Sequence, residues 1–153
     1  MRRRGFTLIE VLAALVVITV TLMLGVVVGR KWVQEQREMA FCQRVVTEWN
    51  AMMVNAENSH MYYAMTITQQ PGDPCVATFK REQDQTVRGV TVTAPPTLGI
   101  MQFSTIAVKR NSAQQFTQPK TIMLESKSGA VYKFVLELGW GRLKFMKNDV
   151  LVE

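Results

Sequence analysis

The chain has 153 residues, of which 48% are hydrophobic and 20% are charged, and its formal net charge at neutral pH is +6. Three of those six excess charges are Arg2, Arg3 and Arg4, so the rest of the chain carries about +3, too little to identify a nucleic-acid-binding protein by charge. The length allows one modest hydrophobic core and excludes several large domains.

The first predicted element is a membrane-spanning helix. No charged residue occurs between Val11 and Gly29. As an α-helix, the residues from Val11 to Val28 would span roughly 27 Å, close to the thickness of the hydrocarbon core of a bilayer. Arginines precede this segment, whereas only Arg30 and Lys31 follow it directly, so the positive-inside rule favours a cytoplasmic N-terminus and an extracytoplasmic C-terminal part.

The segment begins with an acidic residue, Glu10, whose carboxylate needs a partner at the edge of a bilayer. A small residue, Gly5, precedes the apolar run. Because an ordinary secretory signal is cleaved after its apolar region, cleavage at Gly5 would instead leave the helix on the product. The run Gly5-Phe6-Thr7-Leu8-Ile9-Glu10 before a long apolar helix resembles the N-terminus of type IV pilins and pseudopilins.

This resemblance implies that a prepilin peptidase cuts between Gly5 and Phe6 on the cytoplasmic face and methylates the new amine of Phe6. It also implies that Glu10 pairs with the Phe6 amine of a neighbouring subunit and sets the stagger between helices. Two alternatives remain: Glu10 pairs with the amine of its own chain one helical turn away, or it is solvated by lipid headgroups and water.

The resemblance further implies a single-pass membrane protein before assembly, with its head outside the cytoplasm, and a cell-surface fibre subunit afterwards. The implied partners are other pilins or pseudopilins, the prepilin peptidase, membrane lipid, and a membrane platform protein that works with an assembly ATPase. The predicted divisions are a leader at 1–5, a transmembrane and assembly helix at 6–29, the extracytoplasmic half of the helix at 30–59, and a β-rich head at 60–153.

The helix is predicted to continue beyond the membrane, because the segment from Lys31 to Ser59 contains neither proline nor glycine. Its apolar residues recur every three or four positions, which predicts one buried stripe on a helix that runs from near Phe6 to about Ser59. The stripe consists of Phe41, Val45, Trp49, Met52 and Ala56.

After Ser59 the hydrophobic period changes to two, which predicts strands. The predicted strands are Met61–Thr68, Cys75–Lys80, Thr86–Thr93, Ile100–Val108, Thr121–Glu125, Val131–Leu138 and Arg142–Met146. Gly139-Trp140-Gly141 is predicted to join the last two as a hairpin loop. A helical stripe and a one-sided sheet must cover each other, so the predicted fold class is α+β: a long N-terminal helix packed on an antiparallel β-sheet head, as in pilins.

The C-terminal region from Ser128 to Arg142 contains a Leu-Gly-Trp-Gly-Arg turn at 138–142. This region resembles the tail of a minor pseudopilin from the competence pilus of Gram-positive bacteria, and minor pseudopilins of type II secretion have similar tails. The first resemblance implies a role in DNA uptake and transformation, and the second a role in protein secretion.

Both cysteines, Cys42 and Cys75, would lie outside the cytoplasm in this topology, where a disulfide is stable. A bond between them would close a loop of about 33 residues and stabilise the fold by roughly 3 to 4 kcal/mol in the chain-entropy model. Two buried free thiols are the alternative.

No cofactor, metal site or catalytic set is predicted. His60 is the only histidine and is expected at the exit of the helix, and its spacing from the two cysteines does not match a zinc site. An enzyme or receptor tethered by this helix would not explain a glycine placed before the apolar run.

A basic strip on the head is the candidate DNA contact, and the solvated face of a sheet is the alternative explanation for the same residues. The strip consists of Lys133, Arg142, Lys144 and Lys147 near Trp140, with Lys109, Arg110 and Lys120 as further members.

Overall fold

The computed structural model describes residues 8–56, 62–83, 86–101, 104–109, 120–136 and 142–152. Helix α1 spans Leu8–Ala56, and the predicted ends of the helix at Phe6 and Ser59 lie outside the described residues. By its contacts the chain divides into two compact units, Met1–Gln36 and Arg37–Glu153. The part of α1 that begins at Arg37 therefore belongs to the same unit as the strands.

The strands in the described residues are β1 (Tyr62–Thr68), β2 (Val76–Gln83), β3 (Thr86–Thr93), β4 (Leu98–Ile100), β5 (Ser104–Lys109), β6 (Thr121–Ser126), β7 (Val131–Leu136), β8 (Leu143–Lys147) and β9 (Val150–Leu151). They form two antiparallel sheets, sheet A with the order β3-β2-β1-β5 and sheet B with the order β4-β6-β7-β8-β9. The predicted α+β class, a long helix with an antiparallel β head, is confirmed.

The prediction of one strand at 100–108 is wrong. That stretch contains the end of β4 and most of β5, which belong to different sheets. Ile100 pairs with Leu124 in sheet B, whereas Ser104 pairs with Ile67 in sheet A. Alternation along one segment reports which side chains are buried, and it carries no information on which neighbour the strand pairs with.

Strand β9 was also missed by the sequence-based prediction. It follows a two-residue turn at Asn148 and Asp149, whose φ angles of 49° and 65° are both in the left-handed region. Asparagine and aspartate tolerate this conformation better than most residues, and two successive positive φ angles are typical of the tight turns that join hairpin strands. The Asn-Asp pair was therefore the signal that could have revealed the last hairpin.

One hydrophobic core fills the unit that contains the strands. Strand β7 buries Tyr132, Phe134 and Leu136 in strict alternation, and the rings of Phe134 and Phe145 lie opposite each other with centroids 6.4 Å apart. Sheet A contributes inward-facing side chains to the same core. The α1 residues of the core are Phe41, Cys42, Val45 and Trp49, with Met52 partly buried against them.

The outer face of sheet A carries a row of threonines. Thr66, Thr78 and Thr91 lie directly opposite one another on the three adjacent strands β1, β2 and β3. Cross-strand threonine pairs are favourable in antiparallel sheets, by about 0.2 to 1 kcal/mol each. The row thus helps to hold the register that keeps the apolar face of sheet A on the core.

Shortening Val45 is expected to destabilise the protein. Val45 is fully buried, and Val45→Ala removes buried methyl groups and leaves a cavity, so the free energy of unfolding should fall by about 2 kcal/mol. The measurement is chemical denaturation of the full-length protein in detergent. The matched control is Val54→Ala, since Val54 lies on the same helix and is 72% exposed. The control should change the free energy of unfolding by less than about 0.5 kcal/mol, and equal effects of the two variants would contradict the core assignment.

Candidate functional site

The N-terminal part of α1 has apolar side chains on every side. Every large apolar side chain from Leu8 to Trp32 is at least 52% exposed. The most apolar 18-residue window of the helix has a mean hydropathy of 2.9 and is not buried against any part of the chain that the structure describes. Helix α1 is therefore long and apolar enough to cross a membrane. Burying one such side chain is worth about 1.5 to 3 kcal/mol, so this surface requires either lipid or other helices around it.

The polar groups of this segment suit an apolar environment. The hydroxyl of Thr19 donates to the backbone carbonyls of Leu15 and Val16, and the hydroxyl of Thr21 donates to that of Val17. These bonds satisfy the hydroxyls within their own helix, which is what a low-dielectric surrounding demands. Neither threonine would need water or a second chain to satisfy its hydroxyl.

Glu10 is the acidic residue in the first turn of α1, and its side chain is exposed. A carboxylate at this end of a helix is stabilised by the helix dipole. The predicted processing residues, Gly5 and Phe6, lie outside the described residues. The pairing of Glu10 with a terminal amine therefore stays a prediction.

A buried carboxylate that the sequence-based prediction missed joins α1 to sheet B. Glu38 is only 1% exposed. One carboxylate oxygen accepts a hydrogen bond from the Ser126 hydroxyl at 2.8 Å, and the other accepts one from the Tyr132 hydroxyl at 3.1 Å. Hydrogen bonds to an ionised group are about twice as strong as neutral ones, and they offset part of the cost of burying the charge.

The β6–β7 turn positions the serine that binds Glu38. The backbone N–H of Gly129 donates to the carbonyl of Ser126, and Gly129 has a φ of 85°, which a glycine adopts without strain. The backbone N–H of Ser128 donates to the Ser126 hydroxyl oxygen at 3.2 Å. The turn thereby orients the Ser126 hydroxyl so that its proton points to Glu38.

The position of Glu38 in the sequence could have predicted that its side chain is buried. It lies three residues before Phe41, four before Cys42 and seven before Val45, in phase with the apolar stripe. An acidic residue at such a position must be paired inside the core if the stripe is buried. The sequence-based prediction considered only the apolar members of the stripe and so passed over Glu38.

Asn50 provides a second attachment of α1 to sheet B, one that resembles a strand pairing. Its side-chain amide donates to the carbonyl of Leu143 at 3.4 Å, and its side-chain oxygen accepts from the N–H of the same residue at 3.1 Å. Leu143 is the first residue of β8, and β9 pairs with Met146 and Lys147 further along that strand. Asn50 lies roughly 18 Å along the helix from Glu38, so the two contacts fix both the rotation and the axial position of this part of α1.

The two cysteines are both fully buried, both belong to the core, and are not bonded to each other in the structure. Burial raises the pKa of Cys42, and the nearby groups Cys75 and Glu38 raise it further. Burial likewise raises the pKa of Cys75, to about 11. Cys75 is thus near enough to Cys42 to contribute to the raised pKa of the Cys42 thiol.

The predicted basic strip is divided by the strand register. Lys133 lies opposite Met146 and Lys144 lies opposite Val135, which places both lysines on the outer face of sheet B. Lys147 lies opposite the buried Tyr132 and therefore on the other face. Lys133 also forms an ion pair with Asp149.

Arg142 and Lys144 line a groove of about 570 Å³ with Gln43 and Thr47 of α1. Of the further members, Lys120 is exposed just before β6 and Lys109 ends β5 in the other sheet, whereas Arg110 and Trp140 are outside the described residues. Within the residues that the structure describes, no group of three metal-binding side chains is close enough to hold an ion.

Comparison with known proteins identifies the N-terminal segment. Residues 1–26 match the model of the prokaryotic N-terminal methylation motif. No curated protein and no solved structure matches this chain. The match supports a type IV pilin-like subunit that is processed by a prepilin peptidase and works with other pilins, and it favours a structural subunit over an enzyme. It covers the predicted leader and the part of α1 up to residue 26.

The contact between Glu38 and Tyr132 should be measurable as an energetic coupling. Tyr132→Phe should lower the free energy of unfolding by about 1.5 to 3 kcal/mol, because it removes a hydrogen bond to a charged group. In a Glu38→Ala background the same change should cost much less, since the bond is already absent. Chemical denaturation of the single and double variants measures the difference. Glu35→Ala, an exposed position on the same helix, is the control, and additive effects of Glu38→Ala and Tyr132→Phe would contradict the contact.

The same contact predicts a loss of stability at alkaline pH. Burial raises the pKa of Tyr132, and the charge of Glu38 raises it further. A raised pKa means that the folded state holds the phenol proton more tightly than the unfolded chain does. Its contribution is therefore complete below the ordinary value of about 10 and is lost as pH rises towards the folded value. Denaturation midpoints between pH 8 and 11 should fall less steeply in Tyr132→Phe than in the unmodified protein, and identical slopes would contradict the assignment.

Proposed function

We propose that this chain is a minor pilin or pseudopilin of a type IV pilus-like machine, and that the machine is the competence pilus that takes up DNA during transformation. The observation that carries the proposal is the match of residues 1–26 to the methylation motif, which includes the start of a helix segment that is apolar on every side. Cleavage before such a helix keeps the apolar surface on the mature protein, and that surface is what neighbouring subunits can pack against.

In the proposed mechanism, the chain is first a single-pass membrane protein with its N-terminus in the cytoplasm. The prepilin peptidase removes residues 1–5 and methylates the Phe6 amine. A platform protein, driven by an ATPase, then moves the helix from lipid into a bundle of pilin helices. The positive Phe6 amine of one subunit and the negative Glu10 of its neighbour attract strongly at low dielectric, and one register satisfies both.

The head has features that suit a subunit held in a fibre. Helix α1 is attached to sheet B by Glu38 and by Asn50 and to the core by the stripe around Val45, so a load on the helix is distributed over several contacts. The tail resemblance from Ser128 to Arg142 supports the competence machine, and part of it forms β7, whose lysine and valine side chains face outward. A type II secretion pseudopilin is the alternative that the tail also supports.

Replacing the acid of the apolar helix is expected to block assembly while leaving processing intact. Glu10→Val should still yield a chain that starts at a methylated Phe6, because the cleavage site is unchanged. It should be largely absent from sheared fibres, because the terminal amine of the neighbouring subunit loses its counter-charge. Thr19→Val is the matched control, since it also replaces a polar side chain of the same helix by valine. Among the described residues the Thr19 hydroxyl bonds to carbonyls of its own helix.

The measurements for Glu10→Val are mass spectrometry of the N-terminus and immunoblotting of fibre and membrane fractions. Normal incorporation of Glu10→Val would remove the proposed role of Glu10. Recovery of the wild-type protein from cells with residues 1–5 still attached would contradict the whole proposal.

Deleting the gene for this protein in its host should distinguish between a competence pilus and a secretion system. If the competence assignment is correct, transformation frequency should fall by at least tenfold while protein export stays unchanged, and re-expression should restore it. A loss of export with normal transformation would assign the chain to a secretion machine instead.

Binding of random duplex DNA by the full-length protein at two salt concentrations tests direct contact between the head and DNA. Affinity that is absent or independent of salt would exclude the basic strip as a DNA-binding surface.

A further inference from the structure

The two cysteines of the chain both lie in its core, although they are distant in sequence. Cys42 lies on α1, one helical turn after Glu38 and on the same buried face. Cys75 comes immediately before β2, and its carbonyl accepts a hydrogen bond from the N–H of Ala94 at 2.9 Å, which fixes its backbone beside the end of β3. Both side chains are 0% exposed and belong to one cluster of packed residues.

We propose that Cys42 and Cys75 form a disulfide bond in the mature protein, which joins α1 covalently to the start of β2 in sheet A. The proposal rests on the extracytoplasmic location of the head given above, because such bonds persist in oxidising compartments. Each thiol gives up one hydrogen as the S–S bond forms. The two electrons and two protons pass to the active-site disulfide of an extracytoplasmic thiol–disulfide oxidoreductase, which leaves as the dithiol.

The burial of both sulfur atoms determines when the bond forms. The thiolate is the reactive species, and burial raises the pKa of both thiols, so neither ionises readily once the head has folded. An oxidoreductase also needs access to a sulfur atom. The bond must therefore form while the core is still open, and the closed core then shields it from reductants.

The bond would complete the attachment of α1 to the head. Glu38 and Asn50 hold α1 to β6, β7 and β8, which all belong to sheet B. Cys42 belongs to the same core cluster as Cys75, which immediately precedes β2 of sheet A. One face of α1 would thus be held to sheet B by hydrogen bonds and to sheet A by a covalent bond, so that a pull along the helix could not separate it from sheet A.

The first test is oxidative refolding of the full-length protein in detergent. The reduced, unfolded chain is refolded in a glutathione redox buffer, acid-quenched, unfolded again, and treated with a maleimide whose added mass counts free thiols. The expected result is a chain with no free thiol and a mass two hydrogens below that of the reduced form. Two reactive thiols, or glutathione retained on either cysteine, would overturn the proposal. Cys42→Ser, which leaves Cys75 without its partner, is the control that must show one reactive or glutathione-bound thiol.

A second test does not depend on refolding yield. Cys42→Ala, Cys75→Ala and the double variant are each compared with the unmodified protein purified from an oxidising compartment. If the bond is present, each of the three variants lowers the equilibrium constant for folding by roughly 10²- to 10³-fold, because the bond is lost once in every case. If the cysteines are only packed side chains, the two single effects multiply in the double variant, and the proposal is overturned.

A third measurement separates this proposal from the proposed function. The protein is taken from cells of its host, and the N-terminus and the thiols are measured by mass on the same sample. A chain that starts at Phe6 and has two free thiols overturns the disulfide and leaves the pilin assignment standing. A bonded chain that still carries residues 1–5 supports the disulfide and overturns the pilin assignment.

Discussion

Apolar helix surface must be kept out of water, and α1 meets this constraint in two different ways along its length. From Arg37 onward the apolar side chains form one stripe, and strands of the same chain cover it. From Leu8 to Trp32 they occur on every side, and no described part of the chain covers them. The first surface explains why the head folds as it does. The second requires an environment that the described part of the chain does not supply; in the proposed function this is first lipid and then other helices.

The change between the two surfaces falls close to Glu38, the second residue of the unit that contains the strands. A buried carboxylate is costly, and the hydrogen bonds from Ser126 and Tyr132 make it tolerable only at one placement of the helix on sheet B. An apolar stripe alone would allow the helix to slide or rotate slightly with little loss of burial. Glu38, together with Asn50 some 18 Å further along, specifies a single placement. Such specificity suits the proposed fibre subunit, in which the helix would carry the load and the head would be displayed.

The two sheets are separate hydrogen-bonded units that share one core, and β4 and β5 connect them along the chain. Gln69, just after β1, adds a direct link, since its side-chain oxygen accepts a hydrogen bond from the N–H of Ile100 in β4. Helix α1 contributes Phe41, Cys42, Val45 and Trp49 to the core that both sheets line. The integrity of the head therefore depends on the same helix that the proposed function assigns to assembly, and a disulfide at Cys42 would strengthen this dependence.

The sequence by itself determined the leader motif, the apolar segment, the continuous helix with its stripe, and the change to strands. Each of these depends on the spacing of residues that are close together in the sequence, and helices and strands have different characteristic spacings. It also predicted most strands to within a few residues. The tertiary structure alone decided that β4 and β5 belong to different sheets and that Lys147 and Lys144 face opposite sides. It also decided that Glu38 is paired with Ser126 and Tyr132 across 88 and 94 residues. Partners so distant in sequence are brought together only when sheet B packs on the helix, and no local pattern encodes which distant residue will be there.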